Sequence, residues 1–181
     1  MSGAVLLLLF VTVQRGAELL LSRRNTARLM EAGAHEAGAS HYPLMVGFHA
    51  VWLAGLWLLA PGREVNPLWF IAFLILQLGR LWVIATLGKR WTTRIIIRPG
   101  VRLIRRGPYR YVQHPNYWVV AGEIAVLPLA FGLPWYALAF SAAHMGVLWV
   151  RIRAENLALA SFPGAPAGRE TRTERGEPSL R

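Results

Sequence analysis

The sequence predicts an all-α integral-membrane protein of about five transmembrane helices, the last two forming a helical hairpin. Three observations carry that prediction. The apolar residues make up 55% of a 181-residue chain with a mean hydropathy of +0.37, and they gather into long runs rather than the scattered pattern of one soluble core. Turn signals divide those runs into five segments. The Lys and Arg residues form three clusters that a five-span path places on a single side.

The first segment, residues 3–21, opens GAVLLLLF, with no positive stretch before it and no small-residue cleavage pattern after it. It therefore reads as a retained span rather than a cleaved signal, and Gln14, Arg15 and Glu18 continue it as helix. Residues 22–41 are polar with scattered Gly and read as a connector. The second and third segments, 43–60 and 67–87, are close to the roughly 20 residues that a straight span needs. Residues 91–116 form a long basic loop, within which TRIIIRPG at 93–100 is expected to be a short extended stretch ending at a Pro-Gly turn. The fourth and fifth segments, 117–131 and 134–150, are hinged at Gly132, Leu133 and Pro134. Both are short and are expected to be a thin or partly re-entrant pair. Residues 162–181, rich in Pro, Gly, Arg and Glu, are expected to be disordered. The organisation is thus one membrane domain over 1–160 and a tail over 161–181, with no internal repeat.

The net charge of +11 fits nucleic acid, anionic lipid or the cytoplasmic face of a membrane. The basic clusters at 23–28, 89–110 and 151–181 share one side, and the short loops opposite hold only Arg63. The positive-inside rule then places the N-terminus outside and the C-terminus in the cytoplasm. Orientation explains the charge, and no nucleic-acid recognition module is visible, so no nucleic-acid partner is expected. The chain has no cysteine, which excludes a disulfide framework, a thiolate zinc site and a cysteine nucleophile. His35, His41, His49, His114 and His144 make no HxxxH or HExxH pattern, and no metal is expected. His49 and His144 fall within spans and read as packed residues. Neither a glycine-rich dinucleotide fingerprint nor a P-loop is present.

The most informative stretch is RGPYRYVQHPNY at 106–117. Gly107 and Pro108 mark a turn, and His114-Pro115 marks a helix start whose free N–H groups suit a ligand's polar group. Tyr109, Tyr111, Tyr117 and Trp118 sit near the membrane surface. Two readings stand at this level, a ligand site or an aromatic belt beside a basic loop. Glu123, two turns into the fourth span, is either the polar wall of a substrate cavity or a structural pair with Arg80 or Gln77. Arg151 and Glu155 lie one helical turn apart on one face; alone they make a surface pair worth about 0.2–0.5 kcal/mol.

Together, LGKRWTTRIIIRPG (87–100), RGPYRYVQHPNY (106–117) and RIRAENL (151–157) resemble the isoprenylcysteine carboxyl methyltransferase family, over residues 15–160. The His-Pro-x-Tyr element followed by Arg-x-x-x-Glu is specific in a membrane setting. Residues 24–43 resemble the bacterial branch, some members of which methylate alkylresorcinols or alkylpyrones made by type III polyketide synthases. The resemblance implies S-adenosylmethionine bound at a cytosolic mouth of the bundle in a bacterial inner membrane. The implied cofactor contacts are Val101, Arg102, Leu103, Ile104, Tyr109, His114, Pro115, Asn116 and Tyr117, with Glu155 completing the pocket. Arg151 falls at the family's acceptor-side arginine and is the catalytic candidate; Arg151 and Glu123 are the expected substrate contacts.

The reaction so implied is methyl transfer to an oxygen of a lipophilic acceptor entering from the bilayer, with an alkylpyrone or alkylresorcinol favoured. An isoprenylcysteine carboxylate and a phospholipid amine are the alternatives, and a scaffold holding anionic lipid is the reading outside enzymes. Two departures from the family pattern stand out: Gln113 where an arginine usually precedes His-Pro, and Asn156 where a second glutamate is usual. The usual aromatic-rich C-terminal extension is also missing, which implies a more open site.

Overall fold

A computed structural model describes residues 2–98, 101 and 104–160. Its elements are five helices, α1 (Gly3–Glu31), α2 (Tyr42–Leu59), α3 (Pro67–Leu87), α4 (Pro115–Ala130) and α5 (Pro134–Ala160), and two three-residue strands, β1 (His35–Ala37) and β2 (Ile95–Ile97). The expected tail at 161–181 lies outside the described residues.

Local chemistry sets the helix ends. Ser2 caps α1, its hydroxyl accepting from the Val5 N–H. Asn66 caps α3 by accepting from Leu68 and Trp69 ahead of Pro67, whose missing N–H costs nothing in the first turn. Pro115 opens α4 in the same way. The α4–α5 hinge closes where Gly132 takes φ +66°, with Phe131, Gly132 and Leu133 donating to the last carbonyls of α4. On that side the two short loops are tied together: Asn66 N–H donates to Ala130 O at 2.8 Å, and Arg63 reaches the Leu59 and Gly132 carbonyls.

Three helices are long and apolar enough to cross a membrane, Gly3–Glu31, Tyr42–Leu59 and Pro67–Arg90 (α3 with its following turn). The 16 residues of α4 reach about 24 Å at 1.5 Å per residue, against a hydrocarbon core of about 30 Å. Its shortness was expected. That of α5 was not borne out: it runs 27 residues, ten beyond the expected end at 150. α1 likewise continues to Glu31, so much of the expected connector is helix. The extension is held in place because Ser22 and Asn25 are buried. Ser22 Oγ accepts from the Thr93 N–H, and Asn25 Nδ2 donates to the Trp91 and Gly88 carbonyls. The chain is not wholly α either. The extended stretch foreseen near 93–100 is β2, and it pairs antiparallel with β1, His35 opposite Ile97. The Arg94–Glu36 ion pair at 2.7 Å clamps this ribbon.

Burial is inverted relative to a water-soluble bundle. Leu58, Trp135, Trp118 and Val13 are exposed, while Glu18, Gln77, Arg80 and Glu123 are buried beside the apolar core of Leu8, Val11, Trp52, Leu56, Phe73, Ile124 and Leu127. Lipid as the surrounding solvent accounts for both halves of that pattern. α3 and α4 approach closely because Gly122 faces Leu76; a Cβ there would sit 2.8 Å from a Leu76 methyl. At their contact Glu123 accepts from Arg80, Gln77 and Arg15. Glu18 accepts from Arg80 and Arg15, each at 2.8 Å, and Gln14 joins through Gln77.

Replacing Glu123 by Ala is expected to cost about 3–5 kcal/mol, because it strands the Arg80 guanidinium away from water. The paired change Arg80→Met with Glu123→Leu is expected to cost less than Glu123→Ala alone. Thermal unfolding in detergent, followed by helical circular dichroism, checks both.

Candidate functional site

α4 and α5 form the hairpin, and their ends away from the hinge bring the two sequence motifs together. His114 stands at the N-cap position of α4 and Tyr117 lies in its first turn. Arg151 and Glu155 lie in the last part of α5. The expected surface pair between these two does not form directly. Tyr117 stands between them: its hydroxyl accepts from Arg151 Nε at 2.9 Å and donates to Glu155 Oε2. His114 stacks on the Tyr117 ring, centroids 5.1 Å apart, with its Nδ1 3.7 Å from the same Glu155 oxygen. Arg151 also lies over the Tyr117 ring. A cation, a phenol, a carboxylate and an imidazole thus make one cluster.

The cluster is asymmetric in charge and access. Arg151 is 7% exposed, whereas the Glu155 side chain is 26% exposed and its Oε1 has no partner among the described residues. Beside Tyr117, the Asn116 amide oxygen is buried without a hydrogen-bond partner among the described residues. Tyr109 sits in the short 3₁₀ turn Gly107–Arg110. Burial first, and the Glu155 charge second, push its hydroxyl up to about 12. Gly107 allows this turn in two ways: its φ is +57°, and a side chain there would collide with the Thr86 hydroxyl of α3.

Arg151 holds more than the motif residues. Nη2 donates to the Thr93 carbonyl at 2.8 Å and Nη1 to the Met45 thioether at 2.9 Å. Thr93 is a junction, since its hydroxyl also meets Ser22 at 2.8 Å and Tyr42 at 3.1 Å. Sequence reasoning missed Thr93, Met45 and Tyr42 as site residues; Thr93 and Tyr42 lie in stretches the resemblance had marked, and Met45 does not.

Other expected residues are placed elsewhere. Glu123 is 1% exposed within the cluster of Arg15, Arg80 and Gln77, which is the structural pairing weighed against a cavity wall. Ile104 lines a cleft of about 530 Å³ with Ala85–Arg90, Arg105 and Arg106, at the end of α3. None of Tyr109, His114, Tyr117, Arg151 or Glu155 lines that cleft. Pro115 is buried, and Val101 is half-buried with its N–H on the Arg98 carbonyl. Arg102 and Leu103 lie outside the described residues. Gln113 and Asn156 are both exposed.

Residues 69–161 match the family described as isoprenylcysteine carboxyl methyltransferase. Over 162 residues, 87% of this chain, it is 38% identical to an uncharacterized protein of Bacillus subtilis, YpbQ, and covers 96% of that relative. An uncharacterized protein of Haemophilus influenzae is 33% identical over 96 residues, 51% of this chain and 56% of that protein. No solved structure gives a significant match.

Burial of Tyr109 has a measurable consequence. Unfolded tyrosine ionises near pH 10 and the folded residue near 12, so stability is unaffected below pH 10 and falls as pH rises from 10 to 12. A spectrophotometric titration of the purified protein is expected to lose one of its late tyrosinate transitions when Tyr109 is changed to Phe.

Proposed function

The chain belongs to the isoprenylcysteine carboxyl methyltransferase family, and on that basis we propose that this membrane methyltransferase moves a methyl group from S-adenosylmethionine to an oxygen of a lipophilic acceptor. The observation that carries the proposal is the Tyr117 hydroxyl bridging Arg151 to Glu155. It sets an open carboxylate beside a buried guanidinium, one suited to a cationic donor and the other to an anionic acceptor.

The residues present fit the donor. Glu155 has an unpartnered oxygen for amino or hydroxyl groups, and the Asn116 amide oxygen is a buried acceptor in want of a donor. His114 and Tyr117 present stacked ring faces, and Tyr109 remains a neutral hydroxyl at any physiological pH. Tyr109, His114, Asn116, Tyr117 and Glu155 are therefore the proposed donor contacts, with 101–104 and Pro115 shaping the approach. The bound donor supplies an electrophilic methyl on sulfur.

Arg151 is the proposed acceptor contact and catalytic residue. Three of its five N–H groups are engaged, one by a thioether, which is a weak acceptor that an oxygen anion displaces. An ionised enol, phenol or carboxylate would take that place and be oriented by the guanidinium fork. Opposite charges cancel as the methyl moves, so a site shielded from water favours the reaction.

The proposed topology has five spans, the N-terminus outside and the cluster at the cytosolic mouth in an inner membrane. Its support is the distribution of Arg and Lys: the α2–α3 and α4–α5 loops share Arg63 alone, and the other ends are basic. The lipophilic acceptor is taken to be an alkylpyrone or alkylresorcinol, whose acidic hydroxyl suits Arg151. An isoprenylcysteine carboxylate would suit the same guanidinium, and phospholipid amines fit it less well.

Detergent-purified protein is expected to bind S-adenosylmethionine saturably in calorimetry, and Glu155→Ala to weaken that binding about tenfold or more. A wild-type protein without saturable binding would instead be a lipid-holding scaffold. Arg151→Ala is expected to lower acceptor methylation by about 10- to 100-fold while donor binding persists. Arg151→Lys should not rescue it, since one ammonium cannot reach Tyr117, Thr93 and an acceptor at once.

A further inference from the structure

The cleft at the end of α3 is a second place where the chain gathers charge. Among the described residues, Ile104 alone is shared with the proposed approach of the donor. Gly107 brings the walls together. Its φ of +57° turns the chain, and a Cβ there would sit 2.5 Å from the Thr86 hydroxyl oxygen and 3.3 Å from the Trp82 indole nitrogen. That close approach carries Arg105 and Arg106 alongside Lys89, just past the end of α3. All three are exposed. No acidic residue lines the cleft, and the sequence has no Asp or Glu between Glu64 and Glu123. The Gly88 carbonyl at this helix end is taken by the Asn25 amide and the Trp91 N–H. Cations gathered without a carboxylate repel one another until an anion joins them.

The helix leading to the cleft indicates what kind of anion fits. Leu74, Leu78, Leu81 and Trp82 are exposed along one face of α3. Ala85, four residues after Leu81, lines the cleft, and Lys89 follows four residues later. An apolar face about 16 Å long, at 1.5 Å per residue, thus runs straight into a cationic recess. Trp82 stands at the junction, where an indole suits the boundary between hydrocarbon and head groups. A soluble anion would use the recess and leave the apolar face idle. An amphiphile with a negative head uses both.

We propose that this cleft seats the phosphate of an anionic phospholipid, with an acyl chain of the same molecule lying along Leu74, Leu78 and Leu81. Arg105 and Arg106 offer paired N–H donors to phosphate oxygens, and Lys89 adds a point charge. A zwitterionic head group brings an ammonium that these walls repel, so the site selects lipids of net negative charge. The lipid is a resident ligand rather than a methyl acceptor, and its binding does not rest on the methyltransferase reading. Its phosphate relieves the repulsion among the three cations. It also holds the Gly107–Arg110 turn against α3, and Tyr109 lies in that turn.

The test uses the full chain in phosphatidylcholine nanodiscs. A minor fraction of the lipid is phosphatidylglycerol or phosphatidylcholine brominated on its acyl chains, and tryptophan quenching is the readout. Wild type is expected to prefer the brominated phosphatidylglycerol about tenfold or more, each basic side chain near an anionic head contributing about fivefold at most. Trp82→Phe is expected to remove most of the selective quenching, which places the lipid at this helix. The triple change Lys89→Gln, Arg105→Gln and Arg106→Gln is expected to abolish the preference. The triple change Arg23→Gln, Arg24→Gln and Arg28→Gln, which removes equal charge from exposed positions on α1, is expected to leave it. Single changes at Arg105 and Arg106 give the same effect in smaller steps and serve if the first triple variant loses its helical circular dichroism. Equal quenching by the two lipids in wild type overturns the proposal without any variant. So does an equal loss in the two triple variants, which would mark a diffuse surface potential. Removal of the preference by millimolar glycerol phosphate would mean a site for free anions and overturns the lipid assignment. Loss of S-adenosylmethionine binding in the cleft variants, with wild type binding it, would make the cleft part of the donor site and overturns it as well.

Discussion

The fold depends on one buried electrostatic cluster, Arg15 and Glu18 on α1, Arg80 on α3 and Glu123 on α4. Two cations and two carboxylates cancel at a depth where a single uncompensated charge would be prohibitive. Each carboxylate is shared between both arginines, so none of α1, α3 and α4 can turn about its axis without stranding a charge. A rotation of one residue, about 100°, would carry Arg80 or Glu123 toward lipid. Apolar packing alone specifies helix rotation poorly when the surrounding solvent is itself apolar. The cluster supplies what packing cannot, and Gly122 lets α3 and α4 come close enough to form it.

With α4 fixed in rotation, Tyr117 is fixed with it, six residues nearer the basic end. α5 is then held against α4 partly through Arg151, which also gathers the segments between the helices. Its guanidinium joins α4 through Tyr117, α2 through Met45 and the stretch before β2 through Thr93. Thr93 in turn holds Ser22 and Tyr42. The site is therefore where three parts of the chain meet one cation from α5, with α1 joining through Thr93. An arginine meets that demand because its donors point in several fixed directions at once. The same convergence keeps Arg151 buried while Glu155, four residues on, stays half-open. The two charges differ in accessibility as well as sign, and this orders the cluster into a sheltered cationic side and an open anionic side.

Much of this was legible in sequence because it depends on local signals. Pro67, Pro115 and the Gly132–Pro134 hinge mark their helix boundaries through backbone chemistry, and the apolar runs locate the spans. Gln77 and Arg80 were recognisable as partners for Glu123, since an ionisable residue at that depth needs one. The continuation of α1 past Leu21 was not legible from hydropathy. Arg, Ala, Leu, Met and Glu are good helix formers, but a charged stretch after an apolar run looks like a connector until Ser22 and Asn25 are seen holding residues 88–93. The strand β1 is three residues long, too short to show a period. The partnership of Arg15 with Glu123 spans 108 residues in sequence, and Met45 carries no signal at all for its contact with Arg151. Long-range contacts of this kind are fixed by the bundle as a whole.

The two departures from the family pattern gain meaning from their positions. Gln113 and Asn156 are exposed and next to the site in sequence, one before His114 and one after Glu155. An arginine at the first and a glutamate at the second would be opposite charges at the rim. Their neutral replacements remove one charge of each sign, so the net charge of the rim is conserved while its local field is weakened. Surface charges act mainly through long-range fields that salt screens, whereas the Arg151–Tyr117–Glu155 bridge acts through short, partly buried hydrogen bonds. The bridge therefore keeps its geometry without the rim charges. What the rim loses is long-range attraction for charged groups in solution, not the short hydrogen bonds that shape the cluster.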